Sequence, residues 1–150
     1  MPPDRFTHSV DVPVDASVVW DALQDAGTWK GIGPIDEVWA ATHDPDGTLS
    51  GYRWTATAAG QRWEGTARRM ALEPGKSLRL ALDSAEIVGA IEVSVEPAGS
   101  TRLTVALEAS PKGMLATMFW GVVRDALRRG TATQVEEFAR RLSGAAEEDS

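Results

Sequence analysis

The sequence predicts an α+β domain, with a curved, seven-stranded antiparallel sheet around one long C-terminal helix and two short helices after the first strand. Three observations predict it. An alternating segment opens the chain and a short helical pattern follows; six apolar, β-rich segments separated by strong turn signals come next; and the last part carries a long helical periodicity.

From Arg5 to Val14 the residues alternate, with Phe6, His8, Val10 and Val12 on one face and Thr7, Ser9 and Asp11 on the other, as in a half-buried strand. Asp15 reads as the N-cap of a short helix, and Val14 with Val19 as the hydrophobic staple around it. Val19, Ala22 and Leu23 give this helix an apolar stripe that fails near Gly27. Gly31, Gly33 and Pro34 then forbid a long second helix.

The next stretch is divided by the turn signals Asp44-Pro45-Asp46-Gly47, Ala59-Gly60, Glu73-Pro74-Gly75-Lys76 and Pro97-Ala98-Gly99-Ser100. Short loops of this kind join antiparallel neighbours. Leu78, Leu80 and Leu82 alternate with Arg79, Ala81 and Asp83; Ile91, Val93 and Val95 with Glu92, Ser94 and Glu96; Leu103, Val105 and Leu107 with Arg102, Thr104 and Glu108. One face of the sheet is therefore buried and the other wet.

Ser110 as N-cap and Pro111 at the first helical position start the last element, a helix over about Lys112 to Leu142. Val123, Leu127, Thr131, Val135, Phe138 and Leu142 make its buried stripe, while Arg124, Arg128, Glu136 and Arg140 face away. Asp125 with Arg129, Glu136 with Arg140 and Glu137 with Arg141 are spaced for ion pairs worth about 0.2 to 0.5 kcal/mol each. The first half, Gly113 to Val123, is apolar nearly all round, although a helix packed on one sheet face needs only a stripe. Residues 1–143 thus form one domain, and 144–150 an acidic tail expected to be disordered.

A chain of 150 residues suits a single core. With 22 acidic against 15 basic residues it is repelled by polyanions, so nucleic acid is not an expected partner; Arg68 with Arg69 and the run Arg124, Arg128, Arg129 are its only basic clusters. The lack of cysteine excludes disulfides, thiolate metal sites and a cysteine nucleophile. His8 and His43 are far apart, so neither a metal nor a cofactor is expected, and His43, beside a turn, is expected to be solvated. No signal peptide stands at the start, and no apolar run reaches the roughly 18 residues of a membrane span. A soluble, cytoplasmic protein without an integral membrane segment is the expectation.

The segment Val12 to Asp25 combines Pro13, the acidic cap Asp15, the helix-borne Trp20 and the following Asp21, with Trp29 beyond. With the element order, it resembles the START/Bet v 1-like (SRPBCC) superfamily, in particular its polyketide cyclase/dehydrase and lipid-transport-like branch, over nearly the whole chain. The resemblance implies a helix-grip fold in which the sheet wraps the C-terminal helix and encloses a cavity. The superfamily spans ligand carriers, cyclases and aromatases, and interaction proteins, so the activity follows from the site and not from the fold.

Candidate ligand-binding residues fall in two groups. Met114, Met118, Phe119 and Trp120, with Val122, make up the apolar surplus of the last helix, where methionine and aromatic side chains suit adaptable apolar binding at a cavity mouth; the same surplus suits plain core or a second copy in a homodimer. Trp39, Tyr52, Trp54, Trp63 and Leu80 belong to the strands; Tyr52 and Trp54 share a face by period two and suit stacking on a ring system or a cross-strand aromatic cluster. The weak catalytic candidates are His8, Tyr52 and Arg69. His8 shares the phase of Phe6 and Val10 and is of the side-chain type suited to a general base, and Arg69 is in phase with Trp63 and Ala67 although Met70 and Leu72 favour the other face.

Inward positions are mostly Leu, Val and Ile, which favours non-covalent binding of a hydrophobic small molecule such as a lipid, polyketide or isoprenoid-like compound. The alternatives are a cyclase or aromatase-type dehydratase, and a protein-protein interaction module that uses the apolar start of the helix.

Overall fold

The structure is a computed structural model and describes residues 4–29, 35–58, 60–98 and 100–148. Strand β1, Asp4–Val12, leads into helix α1, Ala16–Leu23, and a 3-10 turn, Ala26–Trp29; β2, Ile35–His43, β3, Leu49–Ala58, β4, Gln61–Glu73, β5, Ser77–Ser84, β6, Ile87–Ala98, and β7, Ser100–Pro111, follow; α2, Met114–Met118, and α3, Trp120–Glu148, close the chain. The strands form one antiparallel sheet in the order β1-β7-β6-β5-β4-β3-β2. This is the expected α+β helix-grip fold: a meander from β2 to β7, with β1 returned to the far edge beside β7 and the long helix gripped by the sheet.

The turns carry the chemistry expected of them. Gly47, Gly60 and Gly75 sit at positive φ, the region glycine enters without a side-chain clash. One turn carries no glycine or proline and was not among the expected signals. Between β5 and β6, Ser84 Oγ accepts from the Ile87 amide at 2.9 Å and donates to the Ile87 carbonyl at 2.8 Å, so a serine hydroxyl closes the hairpin.

The sheet's inner face forms the core with α1, the 3-10 turn and α3: Val12, Leu49, Leu78, Leu80, Ile91, Val93, Leu103 and Leu107 are essentially fully buried. Its outer face is charged and paired, Arg5 with Glu108 at 2.7 Å, Arg79 with Glu92 at 3.1 Å and Glu108 at 3.2 Å, and Arg102 with Asp11 at 3.4 Å. From Val123 onward α3 packs chiefly along β1, and Val123, Leu127, Thr131, Val135 and Phe138 are all buried, as their spacing requires.

The final element departs from the expected single helix over Lys112 to Leu142 in three ways. Ser110 and Pro111 do not start it; they pair with Val88 and Ile87 in the β6–β7 ladder, and a proline at the end of a strand loses no ladder donor that matters there. The helical N-cap is Gly113, and the helix breaks at Phe119, whose φ of -111° and ψ of 24° are not helical. The Phe119 carbonyl instead accepts the Val122 and Val123 amides at 3.0 and 3.1 Å and so opens α3. Past Gly144, where the tail was expected to begin, α3 continues to Glu148.

The charge pairs on α3 also differ from their spacing. Asp125 binds Arg129, and Arg128 as well, but the Glu136 carboxylate is taken by His8 on β1 at 2.8 Å; neither Glu136–Arg140 nor Glu137–Arg141 is among the ion pairs of the described residues. A tertiary partner that is fixed in place competes well with a flexible, solvated neighbour one turn away.

Candidate functional site

The space between helix and sheet is apolar and closely filled. Among the described residues two small voids lie in it, each of about 20 Å³. One lies toward the C-terminal half of α3, among Leu23, Trp29, Val105, Val135 and Phe138. The other lies toward its start, walled by Trp54, Ala56, Leu82, Ile87, Leu107 and Leu127. Each has room for a group of roughly the size of one water, far less than the several hundred Å³ that a drug-sized ligand occupies. In this closed conformation the apolar interior is thus a seam with gaps, which admits a large molecule only if something moves.

Tyr52 and Trp54 share the inner face of β3, as their spacing predicts, and both are buried. Trp54 pairs with Gly65 and Ala56 with Trp63, so the two indoles are diagonal neighbours on the β3–β4 hairpin. A side chain at Gly65 would collide with Trp54 Cζ2 and Cε2 and come within 2.6 Å of the Asp83 carbonyl, so this strand needs glycine where the indole lies. Burial pushes the Tyr52 hydroxyl well above the ordinary phenol range, which keeps it neutral. Leu80 is fully buried on β5.

Hydrogen bonding separates the tryptophans. Trp29 donates to the Leu23 carbonyl at 3.2 Å and Trp120 to Asp4 at 2.7 Å. Trp54 Nε1 and Trp63 Nε1 are buried and have no hydrogen-bond partner among the described residues, and the Thr55 hydroxyl is in the same position. An unpaired buried donor costs about 1 to 3 kcal/mol, and native structures leave few of them.

The helical candidates stand elsewhere. Met114 is 77% exposed, Met118 68%, Val122 56% and Phe119 40%, a run of apolar side chains on the corner between α2 and α3. Of α2's own residues only Ala116 is buried. The corner is held by the β5–β6 turn: the Glu86 carbonyl accepts the Lys112 and Gly113 amides at 2.8 and 3.1 Å, and its carboxylate accepts the Ala116 amide at 3.1 Å. Glu86 thus anchors α2 next to Ile87, a wall of the second void. No motif marks a glutamate of this kind, so sequence reasoning missed it.

The remaining candidates are engaged or displaced. Arg69 does share the face of Trp63 and Ala67 and pairs with the inward Leu80, while the bulge after it leaves Met70 exposed and resets the phase so that Leu72 pairs with the inward Leu78. Its guanidinium binds Asp44 at 2.7 Å and donates to the Leu49 carbonyl at 3.2 Å, and so ties β4 to the β2–β3 turn. His8 is half-buried and held by Glu136 at the open edge between β1 and α3, away from the voids. His43, expected to be solvated, is exposed but binds the Gln24 carbonyl at 2.9 Å through Nε2. Trp39 pairs with Arg53, while its neighbour Val38 pairs with the inward Trp54, so Trp39 lies on the outer face of the edge strand and not with the interior aromatics.

A much wider concavity is a different place, an open trough of about 470 Å³ on the outer face, lined by Thr42, Ser50, Arg53, Thr66, Arg68 and Asp83 among others. It is wide open to solvent, so it cannot keep an apolar molecule from water. No cluster of metal-ligating side chains occurs among the described residues, and none of their helices is long and apolar enough to cross a membrane.

Sheet, gripped helix and apolar interior together define the helix-grip class of domain. The family model described as polyketide cyclase / dehydrase and lipid transport matches residues 3–147, and the chain belongs to this family, within the SRPBCC superfamily. Among solved structures it is similar to a protein of Deinococcus radiodurans at 19% identity, covering 95% of this chain and 98% of that one with a TM-score of 0.68. It is also similar to a START superfamily protein from Mycobacterium smegmatis at 20% identity, covering 89% and 97% with a TM-score of 0.62. A third similarity is to the di-domain ARO/CYC BexL from the BE-7585A biosynthetic pathway, at 14% identity, covering 95% of this chain but 49% of that one, with a TM-score of 0.67. At such identities these likenesses show the fold alone. No curated protein matches.

Proposed function

We propose that this protein binds a hydrophobic small molecule of lipid, polyketide or isoprenoid-like character between α3 and the sheet, and holds it without transforming it. The observation that carries the reading is the α2–α3 corner. Met114, Met118, Phe119 and Val122 lie in water at the end of the interior where Ile87 and Leu127 border an apolar void. A contiguous exposed apolar patch on a small domain calls for a partner. Here α2, with one buried residue and a break behind it, has little buried surface to lose if it is displaced.

Binding without catalysis is favoured by what lines the interior. Among the described residues the buried polar side chains are Thr55, Ser84, Thr101 and Thr131, together with the neutral Tyr52. Ser84 closes a turn, Thr101 bonds the Val14 carbonyl and Thr131 bonds Leu127. His8 and Arg69, the groups able to move protons or orient an anion, are committed to Glu136 and Asp44. A cyclase needs ionisable groups at the reacting chain.

Native mass spectrometry of the purified protein tests this reading. A co-purified apolar molecule lost on gentle delipidation and regained on adding it back is the expected result. His8→Ala and Arg69→Ala are expected to leave that uptake nearly intact. Turnover of an added polyketide-type chain, abolished by either substitution, would replace the binding reading with a cyclase.

A further inference from the structure

The interior has a polar feature that apolar burial does not account for. Trp54 is 3% exposed, lies across Gly65 and forms part of the wall of the void near the start of α3, and its Nε1 has no acceptor among the described residues. Trp63, one diagonal step away on the same hairpin, buries a second unpartnered Nε1. The fold is able to satisfy indoles where their role is structural, as Trp29 on Leu23 and Trp120 on Asp4 show. Indole nitrogen donates and never accepts, so whatever completes these sites must bring an acceptor.

The charge of that acceptor follows from its surroundings. The buried polar side chains among the described residues are hydroxyls, and the half-buried Arg69 is neutralised by Asp44. A carboxylate or phosphate placed at Trp54 would lose its hydration with no counter-charge to replace it, whereas a neutral carbonyl asks for one hydrogen bond. The void beside Trp54, at about 20 Å³, matches a small polar group; the rest of such a molecule needs more space than the closed interior has.

Building on the binding reading above, we propose that the interior site is made for an apolar molecule carrying a neutral oxygen acceptor, a ketone- or ester-type carbonyl, which accepts a hydrogen bond from Trp54 Nε1 in the wall of the void. The Trp54 indole then selects among apolar molecules by their oxygen, and leaving it unpaired in the free protein makes occupation of the site more favourable.

The test uses a matched pair of probes, valerophenone and pentylbenzene, which differ by a carbonyl in place of a methylene. In the ¹⁵N-labelled protein, valerophenone is expected to move the Trp54 indole N–H resonance downfield, assigned by its loss in Trp54→Phe, while pentylbenzene leaves it where it was. Trp54→Phe is expected to weaken valerophenone about five- to tenfold and to change pentylbenzene by less than about twofold. Because the resonance is read in the unsubstituted protein, a poorly folded variant does not remove the test. Binding of both probes with no movement of the Trp54 N–H, or equal weakening of both by Trp54→Phe, overturns this inference and leaves the binding reading standing. Failure of both probes to bind overturns the two together.

Discussion

From Val123 to Leu142 the C-terminal helix sinks a regular stripe into the sheet and fixes its polar side with a tertiary pair, His8 with Glu136. Between Met114 and Val122 the chain has seven apolar residues in nine, against eight in the twenty that follow, yet it buries Ala116 and leaves Met114, Met118, Phe119 and Val122 in water. The more apolar region is the one that buries less of itself. The difference lies in periodicity: a stripe three and four residues apart meets one surface, whereas apolar residues all round leave a remainder that no single sheet face can cover. That remainder is where a binding function can reside without weakening the core.

The comparison is most sharply drawn by two phenylalanines. Phe138→Ala removes a buried ring beside the first void and is expected to cost about 3 to 5 kcal/mol in denaturant unfolding, with a cavity left behind. Phe119→Ala, on the exposed corner, is expected to cost less than about 1 kcal/mol. A Phe119→Ala loss as large as that of Phe138→Ala would place the corner in the core and remove the contrast.

Gly65→Ala comes between them. Its new methyl group would meet the Trp54 ring on one side and the Asp83 backbone carbonyl on the other, so an overpacking cost of about 1 to 3 kcal/mol is expected. Trp54 fluorescence should shift with it, because the indole is the part able to give way. An unchanged melting temperature and unchanged emission would mean that Trp54 does not rest where the structure has it.

Much of the fold was legible because it rests on local signals. The alternation of Leu78, Leu80 and Leu82 and the glycines at Gly47, Gly60 and Gly75 act within a few residues of themselves, and together they mark the turn-linked strands as antiparallel neighbours, whereas the pairing of β1 with β7 has no local signal. The β5–β6 turn was not legible, since Ser84 makes it with a hydroxyl and no glycine or proline announces it. The start of the last helix was misplaced for a related reason. Ser110-Pro111 carries a good local helix-start pattern, and the ladder to Val88 and Ile87 outweighs it.

The candidate site was legible in part. Tyr52 and Trp54 share the inner face as period two requires, but Trp39 looks outward because bulges in β2 reset its phase, and register shifts of this kind leave no trace in composition. Arg69 was correctly in phase with Trp63, yet its partner Asp44 comes from a turn some 25 residues earlier, a contact that pattern alone does not supply. Glu86 was missed altogether, although it holds α2 through its carbonyl and its carboxylate.

Amide hydrogen exchange, read by mass spectrometry with and without valerophenone, tests the central claim most directly. Peptides covering Met114 to Val122 are expected to exchange fast in the free protein and to slow when the probe is bound, while those covering Val135 to Phe138 exchange slowly in both states. Equal protection of the two regions in the free protein, or a bound state in which only the C-terminal half slows, would contradict the assignment of the corner as the way in.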